Sequence, residues 1–238
     1  MPATSKTVYL VSGANRGIGF GLVTALVKDP NNLVFAGARD PSTADDLNAL
    51  AKSLPNLYIV KLTSADVEDN QAAVKEIQEK AGRLDTVIAN AGIAKHFGPF
   101  ATTPLQEFRD HYEINTLGPV VLFQSVQPLL AKSPSGAGHF ALISTAAASI
   151  GSYVSVSAAP YGSSKAAANF LIQVIHSEHE ADGIIASAHH PGWVVTDMGN
   201  AGAVANGMTE APVKLEESVE GLLSNIVGAT REKIGGKF

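Results

Sequence analysis

Six short apolar runs, at 8–11, 33–38, 57–62, 84–89, 139–143 and 184–189, alternate with longer stretches in which apolar and polar residues recur at helical spacing. Near-continuous apolar runs mark strands buried on both faces, as in a parallel sheet, rather than strands with one wet face. Between them the pattern predicts helices from the glycine-rich turn to Lys28, over 44–53, and over 66–81 with Asp66 as N-cap and Gly82 as stop. A long helix is predicted from near Pro104 past Asn115 to Ala131, opened by the capping-box pattern Thr103-Pro104-Leu105-Gln106 and bent at Gly118-Pro119. Further helices follow from Tyr161 to about 181 and over 215–229. The segment 197–212 is rich in glycine and alanine without periodicity, and reads as a mobile loop with a short helix at most. Alternating strands and helices predict an α/β, doubly wound, Rossmann-type parallel sheet with helices on both faces, in a single domain over 1–238.

Composition narrows the function. A formal net charge of -5 leaves no basic footprint for nucleic acid. No apolar stretch is long enough to span a bilayer, and 8–11 is too short for a signal-peptide core. The absence of cysteine excludes disulfides, thiolate catalysis and cysteine metal sites, and fits a cytoplasmic protein. His176 and His179 share a helix face, but 175–180 has no His-Glu-x-x-His pattern, so no metal centre is expected.

Two features bring chemistry. Tyr161 and Lys165 are four residues apart at the start of an alanine-rich helix, so an ammonium can sit beside a phenol and favour its ionised form. The loop Ser12-Gly13-Ala14-Asn15-Arg16-Gly17-Ile18-Gly19 follows the first strand. Its glycines let backbone N–H groups and a helix N-terminus approach a pyrophosphate. At the end of the second strand stands Arg39. With Arg16 in the loop it predicts a clamp for a 2′-phosphate, and therefore NADP(H) over NAD(H). Asp40, an acid at the same corner, argues the other way. The glycine loop, Asn90, Ser144-Thr145 and Pro191-Gly192 all follow strand ends and are expected to share one cleft.

In this order, the loop at 12–19, Ala-Asn-Ala-Gly at 89–92, Asn115, Ser144-Thr145, Tyr161-Gly-Ser-Ser-Lys165 and Pro191-Gly-Trp-Val-Val-Thr196 resemble the classical short-chain dehydrogenases/reductases over nearly the whole chain. Within that family the chain looks most similar to fungal carbonyl reductases of the norsolorinic acid ketoreductase type, with kinship to the C-factor/sniffer group. The resemblance implies an NADPH-dependent reductase of a small ketone or aldehyde. Tyr161 would be the proton donor, with Lys165 lowering its pKa and binding the nicotinamide ribose. Asn115 would hold a water that links the lysine to solvent. The hydroxyl that orients the carbonyl falls on Thr145, with Ser144 as its substitute. Cofactor contacts would come from Gly13, Asn15, Arg16, Gly17, Ile18, Gly19, Arg39, Asn90, Ala91, Gly92, Pro191, Gly192, Val194 and Thr196. Thr63 stands where the family often has an adenine-binding aspartate.

His96, Phe97, Tyr153, Trp193 and Met198, with the 197–212 segment, are the candidate substrate walls. Family members usually continue past the equivalent of Gly235-Gly236-Lys237-Phe238 with a seventh strand and a tail, so the chain reads as short or truncated. A homodimer or homotetramer is the family expectation. Two other classes remain open: a dinucleotide-binding redox sensor or scaffold, and a dehydratase or epimerase of the same fold.

Overall fold

The computed structural model describes residues 6–238. The chain runs β1 (Thr7–Ser12), α1 (Gly17–Leu26), β2 (Asn32–Ala38), α2 (Asp45–Ser53), β3 (Leu57–Lys61), α3 (Val67–Lys80) and β4 (Thr86–Ala89). It continues with α4 (Leu105–Tyr112), α5 (Gly118–Leu130), β5 (His139–Ile143), α6 (Ala159–Glu178), β6 (Ile185–His189), α7 (Asp197–Ala205), α8 (Leu215–Ile226) and α9 (Arg231–Ile234). The six strands form one parallel sheet in the order β3-β2-β1-β4-β5-β6, a Rossmann-type doubly wound arrangement.

Strand alternation sorts the core onto two faces. Val8 and Leu10 point with Phe35, Val87 and Phe140 into a cluster covered by Ile77 of α3, Val126 of α5 and Ile172 of α6. Tyr9 and Val11 point the other way with Val34 and Ile88, under Leu22 of α1, Leu47 of α2 and Leu222 of α8. Both faces are dry, which is why the strand residues read as continuous apolar runs. On the outer edge of β6, the Gly236 N–H donates to the Ala186 carbonyl (2.8 Å) and the Ala188 N–H to the Lys237 carbonyl (2.9 Å).

Three local expectations need correction. The capping box at Thr103 does not form. The residue before a proline is pushed out of the helical region, and Thr103 donates its hydroxyl to the Pro99 carbonyl (2.9 Å) while α4 begins at Leu105 without a side-chain cap. The long helix does not run as one α-helix: a π turn over Glu113–Leu117, ending just before Gly118-Pro119, joins α4 to α5. Pro119 has no N–H to return to the Asn115 carbonyl, so the α-helical ladder cannot run straight through this point. The third concerns 197–212: its short helix is present at the start as α7, and the segment is held at its base rather than left as a free loop. The Thr196 hydroxyl oxygen accepts from the Gly199 N–H (3.0 Å), and the base is closed by Val195 N–H to Val213 O (2.8 Å) and Val213 N–H to Trp193 O (3.0 Å). Caps and a closing ladder replace the missing apolar periodicity.

Candidate active site

The sheet order reverses between β1 and β4, and the loops leaving their carboxyl ends meet there. Asn90 clamps the two loops together. Its side-chain amide donates to the carbonyls of Ser12 (3.0 Å) and Gly13 (3.1 Å), while the Ser12 hydroxyl oxygen accepts from the N–H groups of Asn90 and Ala91 (both 3.0 Å). Gly13 has φ +63° and Gly17 φ +54°. A Cβ on Gly19 would lie 2.2 Å from the Gly13 carbonyl oxygen, so the turn closes only around glycine. Arg16 occupies the N-cap of α1 without a side-chain cap bond, which leaves the first-turn N–H groups of that helix open to an anion. The cradle fits a dinucleotide pyrophosphate.

At the end of β2, Arg39 and Asp40 are both exposed. The Asp40 carboxylate is turned into a local turn, accepting from the Ser42 N–H (3.0 Å) and hydroxyl (2.6 Å), which holds its pKa below the ordinary value. That leaves the corner to Arg39. Arg16 reaches Asp197 at the start of α7 (3.2 Å). Thr63 lines a crevice of about 10 Å³ with Ser12, Asn70, Ala91 and Gly118. Its hydroxyl is engaged with Asp69, so Thr63 offers the crevice its backbone and methyl rather than a free hydroxyl.

The chemistry-bearing side chains converge beyond β5. Ser144 and Thr145 leave the strand in succession, with Thr145 extended (φ -158°, ψ 148°). The Ser144 hydroxyl, buried, donates to Asn169 Oδ1 on α6 (2.6 Å). Thr145 Oγ1 accepts from the Ala147 N–H (3.2 Å) and bonds to the Tyr161 hydroxyl, the side that favours a phenolate. Burial outweighs this and pushes the Tyr161 phenol up to about 12. The expected lowering by Lys165 is not seen in this geometry: the Lys165 ammonium donates to the Ile143 carbonyl (2.7 Å), and burial brings its own pKa down to about 8.

Asn115 is fully buried on the π turn. Its Oδ1 accepts from the Ile93 N–H (2.8 Å), and its amide donates to the Ile93 carbonyl (2.9 Å) and the Ser164 hydroxyl oxygen (3.0 Å). Ser164 in turn donates to the Tyr161 carbonyl (2.8 Å). A Cβ on Gly92 would stand 3.1 Å from Asn115 Oδ1 and 3.4 Å from Lys165 Nζ, so the glycine lets these two groups approach. Ser12, Ser164 and Asn169 join the site without having been singled out from the sequence. The Ser-Ser pair before Lys165 was the available signal for Ser164, and Ser12 stood in the glycine loop without a role of its own; Asn169 had no signal.

The wall residues divide. Trp193 is pinned by its indole N–H to the Gly199 carbonyl (2.8 Å), and both Trp193 and Phe97 lie against Gly202, where a Cβ would be 3.7 Å and 3.4 Å from their rings. Met198, half-buried, belongs to α7. His96 folds against Gly98. Tyr153 stands 74% exposed on the 149–157 loop. Pro191, Gly192 (φ +85°) and Val194 form the turn after β6, with Gly192 packed on Val213.

The family model for short chain dehydrogenases matches residues 7–205. The chain is a short-chain dehydrogenase. Among relatives of this short-chain dehydrogenase, the norsolorinic acid ketoreductase of Aspergillus parasiticus is 40% identical, the alignment covering 98% of this chain and 88% of that one. The norsolorinic acid ketoreductase of Dothistroma septosporum is 37% identical over 99% and 90%. Among solved structures, the NADPH-bound carbonyl reductase from chicken fatty liver superposes with a TM-score of 0.87 at 35% identity, covering 97% of this chain and 94% of that one. The carbonyl reductase Sniffer of D. melanogaster gives 0.87 at 27%, covering 98% and 96%. Membership makes the protein an oxidoreductase. Among the described residues no helix is long and apolar enough to cross a membrane.

Proposed function

We propose that this short-chain dehydrogenase reduces the carbonyl of a ketone or aldehyde with NADPH, Tyr161 donating the proton. The single observation that carries the reading is the meeting of the Thr145 and Tyr161 hydroxyls, with Tyr161 one turn before the buried Lys165 on α6. NADPH, when bound, supplies the hydride to the carbonyl carbon. Gly13, Gly17, Ile18 and Gly19 would receive its pyrophosphate with Asn15, and Arg16 and Arg39 its 2′-phosphate. Pro191, Gly192, Val194 and Thr196 would face the nicotinamide.

On the protein side, the Tyr161 phenol carries its proton at neutral pH; burial makes it a weaker acid, and the Thr145 bond offsets part of that by favouring the phenolate. Thr145 stabilises the oxygen that loses the proton, and a carbonyl oxygen between the two hydroxyls meets donors where negative charge develops. Lys165 is held by its ammonium on the Ile143 carbonyl, one turn along α6 from Tyr161, and would bind the nicotinamide ribose. Asn115 fixes Ser164, and through it the start of α6, rather than touching the reacting atoms. A bulky aromatic ketone is the substrate class we favour, on the strength of the Phe97–Trp193 wall and the ketoreductases among the relatives.

The test is oxidation of NADPH and of NADH, followed side by side with aliphatic and aromatic ketones and aldehydes. Carbonyl-dependent oxidation of NADPH well above NADH is expected. Binding of NADPH without turnover of any carbonyl would sink the reductase reading and favour a sensor.

A further inference from the structure

Arg16 and Asp197 are 181 positions apart and tie the glycine loop to the first residue of α7 at 3.2 Å, with both side chains largely exposed. Around them the approach is close but apolar: a Cβ on Gly17 would be 3.4 Å from Thr196 Cγ2. The ion pair is therefore a polar link between the cradle and the helix that carries Met198 and anchors Trp193. An exposed pair of this kind is weak, and readily exchanged for a better partner. A phosphate dianion is a better partner for a guanidinium than one carboxylate.

Resting on the NADP(H) reading above, we propose that Asp197 competes with the cofactor 2′-phosphate for Arg16, so that arrival of the phosphate releases α7 from the glycine loop. Asp197 is in this account a determinant of cofactor handling, and the phosphate signals its presence to the substrate wall. Nothing covalent changes; one guanidinium leaves a carboxylate for a phosphate. The freed Asp197 stays at the first turn of α7, where its charge suits the helix N-terminus.

The chain contains one tryptophan, Trp193, and its indole is hydrogen-bonded to Gly199 of α7, so its emission reports on that helix. Adenosine 2′,5′-bisphosphate carries the phosphate without the nicotinamide, and adenosine 5′-monophosphate lacks it. Titrated into the full chain, the bisphosphate is expected to bind and to shift Trp193 emission, and the monophosphate at saturation to leave it unchanged. Asp197→Asn should bind the bisphosphate about two- to fivefold more tightly, the scale of one exposed ion pair, and show the shifted emission before any ligand is added.

The ratio of variant to wild-type affinity should fall toward one as KCl rises, because the phosphate contact is common to both proteins and only the competing pair is screened away. A fraying of α7 would not follow salt in this way. Bisphosphate binding that leaves Trp193 silent, or an Asp197→Asn affinity equal to wild type, overturns the exchange and leaves the cofactor reading standing. Equal affinity for the two nucleotides removes the 2′-phosphate clamp itself, and this inference with it.

Discussion

Ser144 and Thr145 are adjacent, yet their hydroxyls go to opposite sides of the strand end: Ser144 to Asn169 of α6, Thr145 to Tyr161. Extended backbone alternates its side chains, so only one of two consecutive hydroxyls can reach the phenol. Thr145→Ala is expected to lower kcat by about 100-fold or more, the scale of a lost donor at a developing oxyanion, and Thr145→Ser to restore most of it. Ser144→Ala should leave kcat within a few-fold and lower stability by about 1 kcal/mol through the lost Asn169 bond. Steady-state kinetics with urea unfolding checks both, and equal kcat losses for the two alanine variants would contradict the assignment.

Tyr161→Phe removes the proton donor and leaves the glycine cradle intact. Turnover should fall by about 100- to 10,000-fold, while the Kd for NADPH, from fluorescence titration, stays within about twofold. A variant turning over at near-wild-type rate would end the role given to Tyr161.

Lys165 titrates at about 8, depressed by burial, so its cation is complete below that pH and lost above it. Carbonyl reduction should decline as pH rises through about 8, and Lys165→Met should be slow and flat over the same range. For stability the sign is reversed. Between about 8 and the ordinary lysine value the unfolded chain binds the extra proton, so this group makes the fold more stable with rising pH. A pH–rate profile beside urea midpoints separates the two effects.

Beneath the site, His139 Nε2, the Ser187 hydroxyl and His189 Nε2 form a buried chain with 2.7 Å links. Burial lowers His139 to about 3 and His189 to about 4, so both stay neutral in the fold well below the ordinary histidine value of 6.5. As pH falls from about 6.5 toward 4 the unfolded chain takes up protons that the fold does not, and stability is lost. Replacing His139 by the neutral Asn should flatten the fall of the urea midpoint over this window; an unchanged slope would show that His139 is not what acid attacks.

The sheet was legible because burial on both faces writes each strand as an apolar run, and the cleft followed from which loops leave the strand ends. Asp66 and Gly82 also marked α3 correctly: Asp66 accepts from the Asp69 N–H (2.9 Å), and Gly82 takes φ +77°. What escaped depends on partners distant in sequence. α7 has no apolar stripe and is held by Thr196 and by Val213 across its base. The capping box failed because Pro104 constrains Thr103. That the Ser144 hydroxyl is taken by Asn169 has no local signal, and the spacing from Tyr161 to Lys165 does not disclose that the ammonium meets the Ile143 carbonyl. The Arg16–Asp197 link joins the two ends of the matched region and leaves no local pattern.

The π turn between α4 and α5 amounts to one surplus residue in an otherwise regular helix. Deleting a residue there would remove the surplus without giving Pro119 an N–H, and would rotate everything on one side of it by about 100°. Asn115 would then swing away from Ile93 and Ser164. Insertions and deletions are usually tolerated in loops; this helix is a place in the chain where length itself is under constraint, because one residue more or fewer re-aims Asn115.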